Sequence, residues 1–152
     1  MEWQPSDEDW EARLRQSFAR QGIMETLGAT LGALRPGIVE IEVPFRPGLS
    51  QQHGFFHAGV TSTIADSAGG YAGYSLFPAE SSVLTVEFKI NLLAPADGDL
   101  LRAVGRVCKP GRTLTVTEAE VFVARSGQEK LCAKMQQTLM RLDGRPDMAV
   151  SG

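Results

Sequence analysis

After Pro78 the chain is written almost wholly with a period of two. Leu84, Val86, Phe88, Ile90 and Leu92 alternate with Thr85, Glu87, Lys89 and Asn91, the pattern of a strand with two chemically different faces. A-P-A-D-G at 94–98 breaks that run. Strand-like runs resume over 99–108, 113–124 and 129–142, separated by KPGR at 109–112 and RSGQ at 125–128. Links this short join antiparallel neighbours, because a parallel crossover needs about a dozen residues or more. The back half therefore reads as an antiparallel meander.

The front half changes period twice. Residues 6–34 read as helical: Ser6 as a cap, Asp7, Glu8 and Asp9 at a helix start, and Trp10, Leu14 and Phe18 at helical spacing. Gly22 ends that helix, and Gly28 and Gly32 weaken the mixed stretch 23–34. From Ile38, the residues Val39, Ile41, Val43 and Phe45 alternate with Glu40, Glu42 and Pro44, a strand whose proline marks an end or an edge. A polar loop, 46–54, precedes the longest helical candidate, 57–77, about 30 Å long at 1.5 Å per residue. The order predicts an α+β fold, one long helix against a five-stranded antiparallel sheet. The boundaries are an N-terminal helical segment over 1–36, the main domain over 37–143 and a flexible tail over 144–152.

Composition narrows the function classes. A chain of 152 residues suits one core. A net charge of −3 gives no electrostatic reason to expect nucleic acid or an anionic membrane as partner. No apolar run approaches the roughly 20 residues of a membrane span. The start, MEWQPSDEDW, is acidic and lacks the order of a signal peptide. Cys108 and Cys132 make neither a disulfide framework nor a zinc site, and read as reduced thiols in a cytoplasmic protein.

The helix 57–77 carries an unusual mixture of residues. With Asp66 at zero and 100° per residue, Gly59, Ser62, Thr63, Gly69, Gly70 and Gly73 lie within about 60° of it. Val60, Ile64, Ala68, Tyr71 and Ala72 lie opposite. The apolar side is expected on the sheet, with the Asp66 side turned away from the core. Glycine on that side leaves room for another backbone or for a ligand. A solvated helical carboxylate would show the same pattern. The helix start adds unpaired N–H groups and a positive dipole end, suited to a carbonyl oxygen gaining negative charge. Asp66 lies about two turns further on, near 10 Å, too far to act on the same atom within one chain. A twofold dimer brings one chain's helix start to the other chain's Asp66.

HAGVTSTIADSA, 57–68, followed by VEFKINLLAPA, 86–96, resembles the hotdog-fold thioesterases, and within them the phenylacetic-acid-degradation type of acyl-CoA thioesterase. The resemblance covers about residues 38–142. It implies a sheet wrapped around the long helix, assembly into homodimers or homotetramers, and hydrolysis of an acyl-CoA thioester to free acid and CoA. It puts the catalytic carboxylate on Asp66, as nucleophile or general base, and the thioester-polarising N–H on Ala58, with Gly59 next. Gln51 takes the place of a water-orienting Asn, with Gln52 beside it, and Thr85 that of a hydroxyl that helps orient water. Ala58 replaces the usual Gly, which a helix N-terminus tolerates.

The remaining candidates belong to substrate binding. His57 fixes the entry into the helix, while His53 reads as loop surface. Phe55 and Phe56, with Tyr74, are candidates for an acyl pocket or for core. Arg106, Lys109 and Arg112 surround the Pro-Gly turn and suit the phosphates of coenzyme A or a plain basic turn. Two histidines far from any Cys or carboxylate cluster do not make a metal set. No metal or redox cofactor is expected, coenzyme A being part of the substrate. Two other readings stay open: a non-catalytic acyl-CoA sensor, and an acyl-CoA hydratase or dehydratase.

Overall fold

The computed structural model describes residues 2–145; of the tail expected over 144–152, residues 146–152 lie outside the described part. Helices α1 (Trp10–Arg20) and α2 (Gly22–Leu27) precede strands β1 (Thr30–Arg35) and β2 (Ile38–Pro44). Helix α3 (Ala58–Tyr74) follows, then β3 (Ser81–Leu92), β4 (Leu100–Lys109), β5 (Leu114–Arg125) and β6 (Gln128–Asp143). All pairings are antiparallel, in the order β1-β2-β4-β5-β6-β3.

The sheet has six strands where the sequence predicts five. The extra strand is β1, inside the 1–36 segment expected to be helical. Gly28 closes α2 in the left-handed region at φ 71, and residues 36–37 turn the chain back so that β1 pairs with β2. An irregularity between Leu31 and Leu34 breaks the alternation there, which hides the strand from a period-two reading. Asp9, not Ser6, stands at the cap position of α1, without a side-chain cap bond.

The sheet curls around α3. Val39, Ile41, Val43, Leu101, Ala103, Ala119, Val121, Ala133, Met135 and Leu139 are buried on its inner side. The approach is closest at β4: a Cβ on Gly105 would lie 2.2 Å from the backbone carbonyl of Ala68 and 2.4 Å from the nitrogen of Gly69. Glycine at 105 is therefore what lets helix and sheet backbones touch. Helix α1 covers the opposite flank of α3. Tyr71 shares a 3.1 Å hydrogen bond with Ser17 and accepts from the Gln21 amide at 2.7 Å, and Arg13 stacks 4.3 Å over Tyr74.

Here the helix departs from expectation. Gly69 and Gly73 face β5 and β6, not a region outside the core. A Cβ on Gly69 would meet Gln137 and Thr117, and one on Gly73 would meet Leu139. A flat-sheet picture allows a helix one covered face; a curled sheet covers more of it, so the small residues beside Asp66 also meet the chain's own strands.

Strand β3 holds the second departure. Its pairing with β6 runs in register from Ser81 to Thr85 and from Glu87 to Leu92, with Val86 unpaired as a bulge between them. Directly opposed residues share a face. Thr85 opposes buried Leu139, and Phe88, Ile90 and Leu92 oppose Gln137, Met135 and Ala133, so all four look to the inner side. Leu84 opposes Met140 and looks outward. The expected apolar set Leu84–Leu92 is thus split across two faces, and Thr85 is on the side of Phe88, not opposite it. A bulge of this kind re-aims side chains beside functional sites. Strand β3 is also a sheet edge, with Leu84, Val86, Phe88 and Leu92 all about half exposed.

Candidate active site

The loop before α3 sets its entry angle. His57 is the N-cap: its backbone is extended, and its Nδ1 accepts the Gly59 N–H at 2.8 Å. Its own N–H donates to the Leu49 carbonyl at 2.9 Å. An accepting Nδ1 makes this the neutral ring with its proton on Nε2. Ser and Asp usually cap in this way; here an imidazole does. The Gly59 N–H expected to polarise a carbonyl is thereby already engaged. The Ala58 N–H has no acceptor among the described residues, as befits the first residue of a helix.

Ala58 lines a cleft of about 460 Å³ with Gln51, Gln52, Phe55, Phe56, His57 and Thr61 on one side, and residues 92–96 with Cys132 on the other. The walls are mostly apolar, the usual make-up of a small-molecule site. Phe56 is buried and packs edge-on against Phe45, with ring centres 5.1 Å apart; Phe55 is partly exposed. Tyr74 does not line the cleft; it is buried under α1. Burial pushes the Cys132 thiol up to about 11, so it stays protonated at the cleft wall.

Gln51 is placed at the cleft with its side chain committed. Its Oε1 accepts the His53 N–H at 2.5 Å and the Phe55 N–H at 3.3 Å, closing the 51–55 turn. Only the amide NH₂ end remains for a ligand. His53 is exposed, beside the Phe55 ring.

Asp66 does not line this cleft. It sits eight residues beyond Ala58, about 12 Å along the axis, half-buried between α3 and the sheet. Its Oδ1 accepts from Thr85 Oγ1 at 2.6 Å and from Gln137 Nε2 at 2.9 Å. Its Oδ2 has no partner among the described residues. Gln137 is 1% exposed, and its Oε1 accepts from the buried Thr117 hydroxyl at 2.9 Å. The reading of the sequence missed Gln137, Thr117 and Thr61. One signal was available: Gln137 falls on the inward side of the alternation Ala133, Met135, Leu139, where an apolar residue is expected.

Arg106, Lys109 and Arg112 are exposed around the β4–β5 turn. That turn is nine residues along β4 from its start near the cleft, roughly 30 Å, so these side chains do not reach the cleft of their own chain. Arg112 instead borders a separate cavity of about 380 Å³ at the other end of α3, with Trp3 and Arg141.

A long glycine-rich helix enclosed by a curled antiparallel sheet is the arrangement of the hotdog fold. A family model described as the thioesterase superfamily matches residues 53–130, and the chain belongs to that family. The crystal structure of a thioesterase family protein from Silicibacter pomeroyi is 51% identical, with a TM-score of 0.88, covering 89% of this chain and 99% of that one. A Halobacterium salinarum protein named as an esterase is 31% identical over 121 residues, 76% of this chain and 80% of its own. The PaaI protein of the Escherichia coli phenylacetic acid degradation operon shares the fold, with a TM-score of 0.81 at 20% identity over 90% of this chain and 96% of that one. The activity class that family and relatives support is thioester hydrolysis.

Proposed function

We propose that this protein hydrolyses an acyl-CoA thioester to the free acid and CoA, in a site completed by a second copy of the chain. The observation that carries the reading is a separation. The free Ala58 N–H and the apolar cleft stand at one end of α3, and the carboxylate with a free Oδ2 stands about 12 Å away. One acyl carbon cannot sit against both. The edge strand β3, half exposed and apolar, runs beside both places and supports self-association there.

In the reaction proposed, the thioester oxygen accepts the Ala58 N–H at the positive end of α3, which stabilises the oxygen as it gains charge. Asp66 of the other copy meets the carbonyl carbon from Oδ2. By one route the carboxylate attacks, the carbon–sulfur bond breaks, CoA leaves as the thiol after taking a proton, and water then hydrolyses the anhydride. By the other, Asp66 takes a proton from a water that attacks directly. Both convert thioester and water into acid and thiol, without metal or redox cofactor. Single turnover in ¹⁸O-water tests the first: label in the enzyme carboxylate, from attack of water on the Asp66 carbonyl of the anhydride, arises by that route alone, whereas the second puts label only in the product acid.

The test is thiol release over a panel of aryl-, short- and medium-chain acyl-CoA esters. Asp66→Asn abolishes release. Ala58→Pro removes the N–H at a position where proline suits a helix start, after a residue already extended, and lowers kcat by about 10²- to 10³-fold. Co-expressing the two inactive variants restores about a quarter of wild-type activity, because half of randomly formed dimers are mixed and each has one intact site of two. No restoration means that the site lies within one chain, and tight acyl-CoA binding without thiol release makes the protein a sensor instead.

A further inference from the structure

The carboxylate of Asp66 is held from behind by a buried polar relay that the reaction scheme does not use. Gln137 Nε2 stands 2.9 Å from Asp66 Oδ1, 3.3 Å from the Asp66 carbonyl oxygen and 3.5 Å from Thr85 Oγ1. Three oxygens around one end of an amide admit only its NH₂ group. The other end, Oε1, accepts from Thr117 Oγ1 at 2.9 Å, so the Thr117 hydroxyl fixes which way the amide points. Both residues are buried, at 1% and 0% exposure.

A glutamine on the inner face of a core sheet costs desolvation unless its bonds are met, and the fold makes specific room for this one. A Cβ on residue 69 would stand 1.7 Å from Gln137 Oε1. Gly69 thus keeps open the space that the amide fills, three residues on from the carboxylate it contacts. Both donors to Asp66 converge on Oδ1, which fixes the rotation of the carboxylate and leaves Oδ2 as the oxygen turned to its task.

We infer that Gln137 is a positioning residue for Asp66, oriented in turn by Thr117, and that this Thr117–Gln137–Asp66 relay selects Oδ2 as the reacting oxygen. The inference rests on the proposal that Asp66 is catalytic. Neither Gln137 nor Thr117 lines the cleft, so their loss should leave substrate affinity alone and misalign only the reacting group.

The experiment measures kcat, KM and melting temperature with the best acyl-CoA of the panel for Gln137→Met, Thr117→Val, their double variant and Asp66→Asn. Gln137→Met keeps the length and removes the donor; kcat falls by about 10- to 100-fold, the range for a lost hydrogen bond to a charged group, while KM is unchanged. Thr117→Val, two bonds removed from the carboxylate, lowers kcat by less, again at constant KM. Adding it to Gln137→Met lowers kcat no further, because it acts only through the amide. Full kcat in Gln137→Met, or independent multiplication of the two losses, overturns the relay while Asp66→Asn remains inactive. If Asp66→Asn retains activity, the functional reading itself falls and the relay's purpose with it. Should Gln137→Met fail to fold, unchanged kcat in Thr117→Val overturns the relay by itself.

Discussion

Alanine at position 69 sets two general rules against each other. In the interior of a helix, Gly→Ala is favourable by roughly 0.5–1 kcal/mol, because glycine loses more backbone freedom on folding. Here the added carbon would stand 1.7 Å from Gln137 Oε1 and 2.9 Å from Thr117 Oγ1, far inside contact distance. The amide has to leave its place. Overpacking costs about 1–3 kcal/mol, and a buried polar group deprived of its partner about 1–3 kcal/mol more. Set against the helical gain, the net loss is about 1–5 kcal/mol. For a chain of this size each kcal/mol moves the melting temperature by about 2–4 °C. Melting at fixed protein concentration, to hold any association constant, is the assay, and Gly70→Ala is its control. A Cβ at 70 meets nothing within 4 Å in the chain, so the helical preference acts alone there and melting rises by a few degrees. Were Gly69→Ala as stable as wild type, the space at 69 would not be what admits Gln137, and the packing argument would be refuted.

Three further outcomes are expected. His57→Ala removes the cap on Gly59; stability falls by about 1 kcal/mol, read as a melting shift of a few degrees. Substituting Phe88→Glu with Leu84→Lys places charges on the exposed β3 edge; light scattering then reports single chains and thiol release is lost, whereas an active monomer would remove the need for a second copy. Iodoacetamide at pH 8 leaves Cys132 unlabelled in the folded protein. It is buried, and with the thiol near 11 only about one molecule in a thousand is thiolate at that pH. Mass spectrometry finds the label at Cys132 only after unfolding, while the exposed Cys108 takes it first.

The meander was legible because its turns are short and its strands alternate: 94–98 falls between observed strands, and 109–112 and 125–128 span the β4–β5 and β5–β6 connections, taking in only the strands' end residues. Where alternation is interrupted, legibility fails. The irregularity between Leu31 and Leu34 concealed β1, and the unpaired Val86 exchanged the faces of half of β3. The angular reading of α3 grouped Asp66 with Gly69 and Gly73 correctly, but nothing local says that the sheet will curl around to meet them. Gln51 and Gly59 were sought for their free amides; both are engaged by bonds between near neighbours, Gln51 with the His53 and Phe55 N–H groups and Gly59 with His57. Such loop and cap bonds depend on backbone angles that residue type alone does not fix. Gln137 was visible only as an anomaly, a polar side chain where the period asks for an apolar one.

The unpaired residue in β3 also bears on who can dock there. Removing Val86 would leave every other side chain of the strand on the side it now faces, so it acts as a spacer that bends the border of the sheet. An identical strand running the other way about a twofold at Val86 would carry the same bend at the matching place. The irregularity next to Thr85, the donor to Asp66, therefore also shapes the rim that the second copy proposed above would meet.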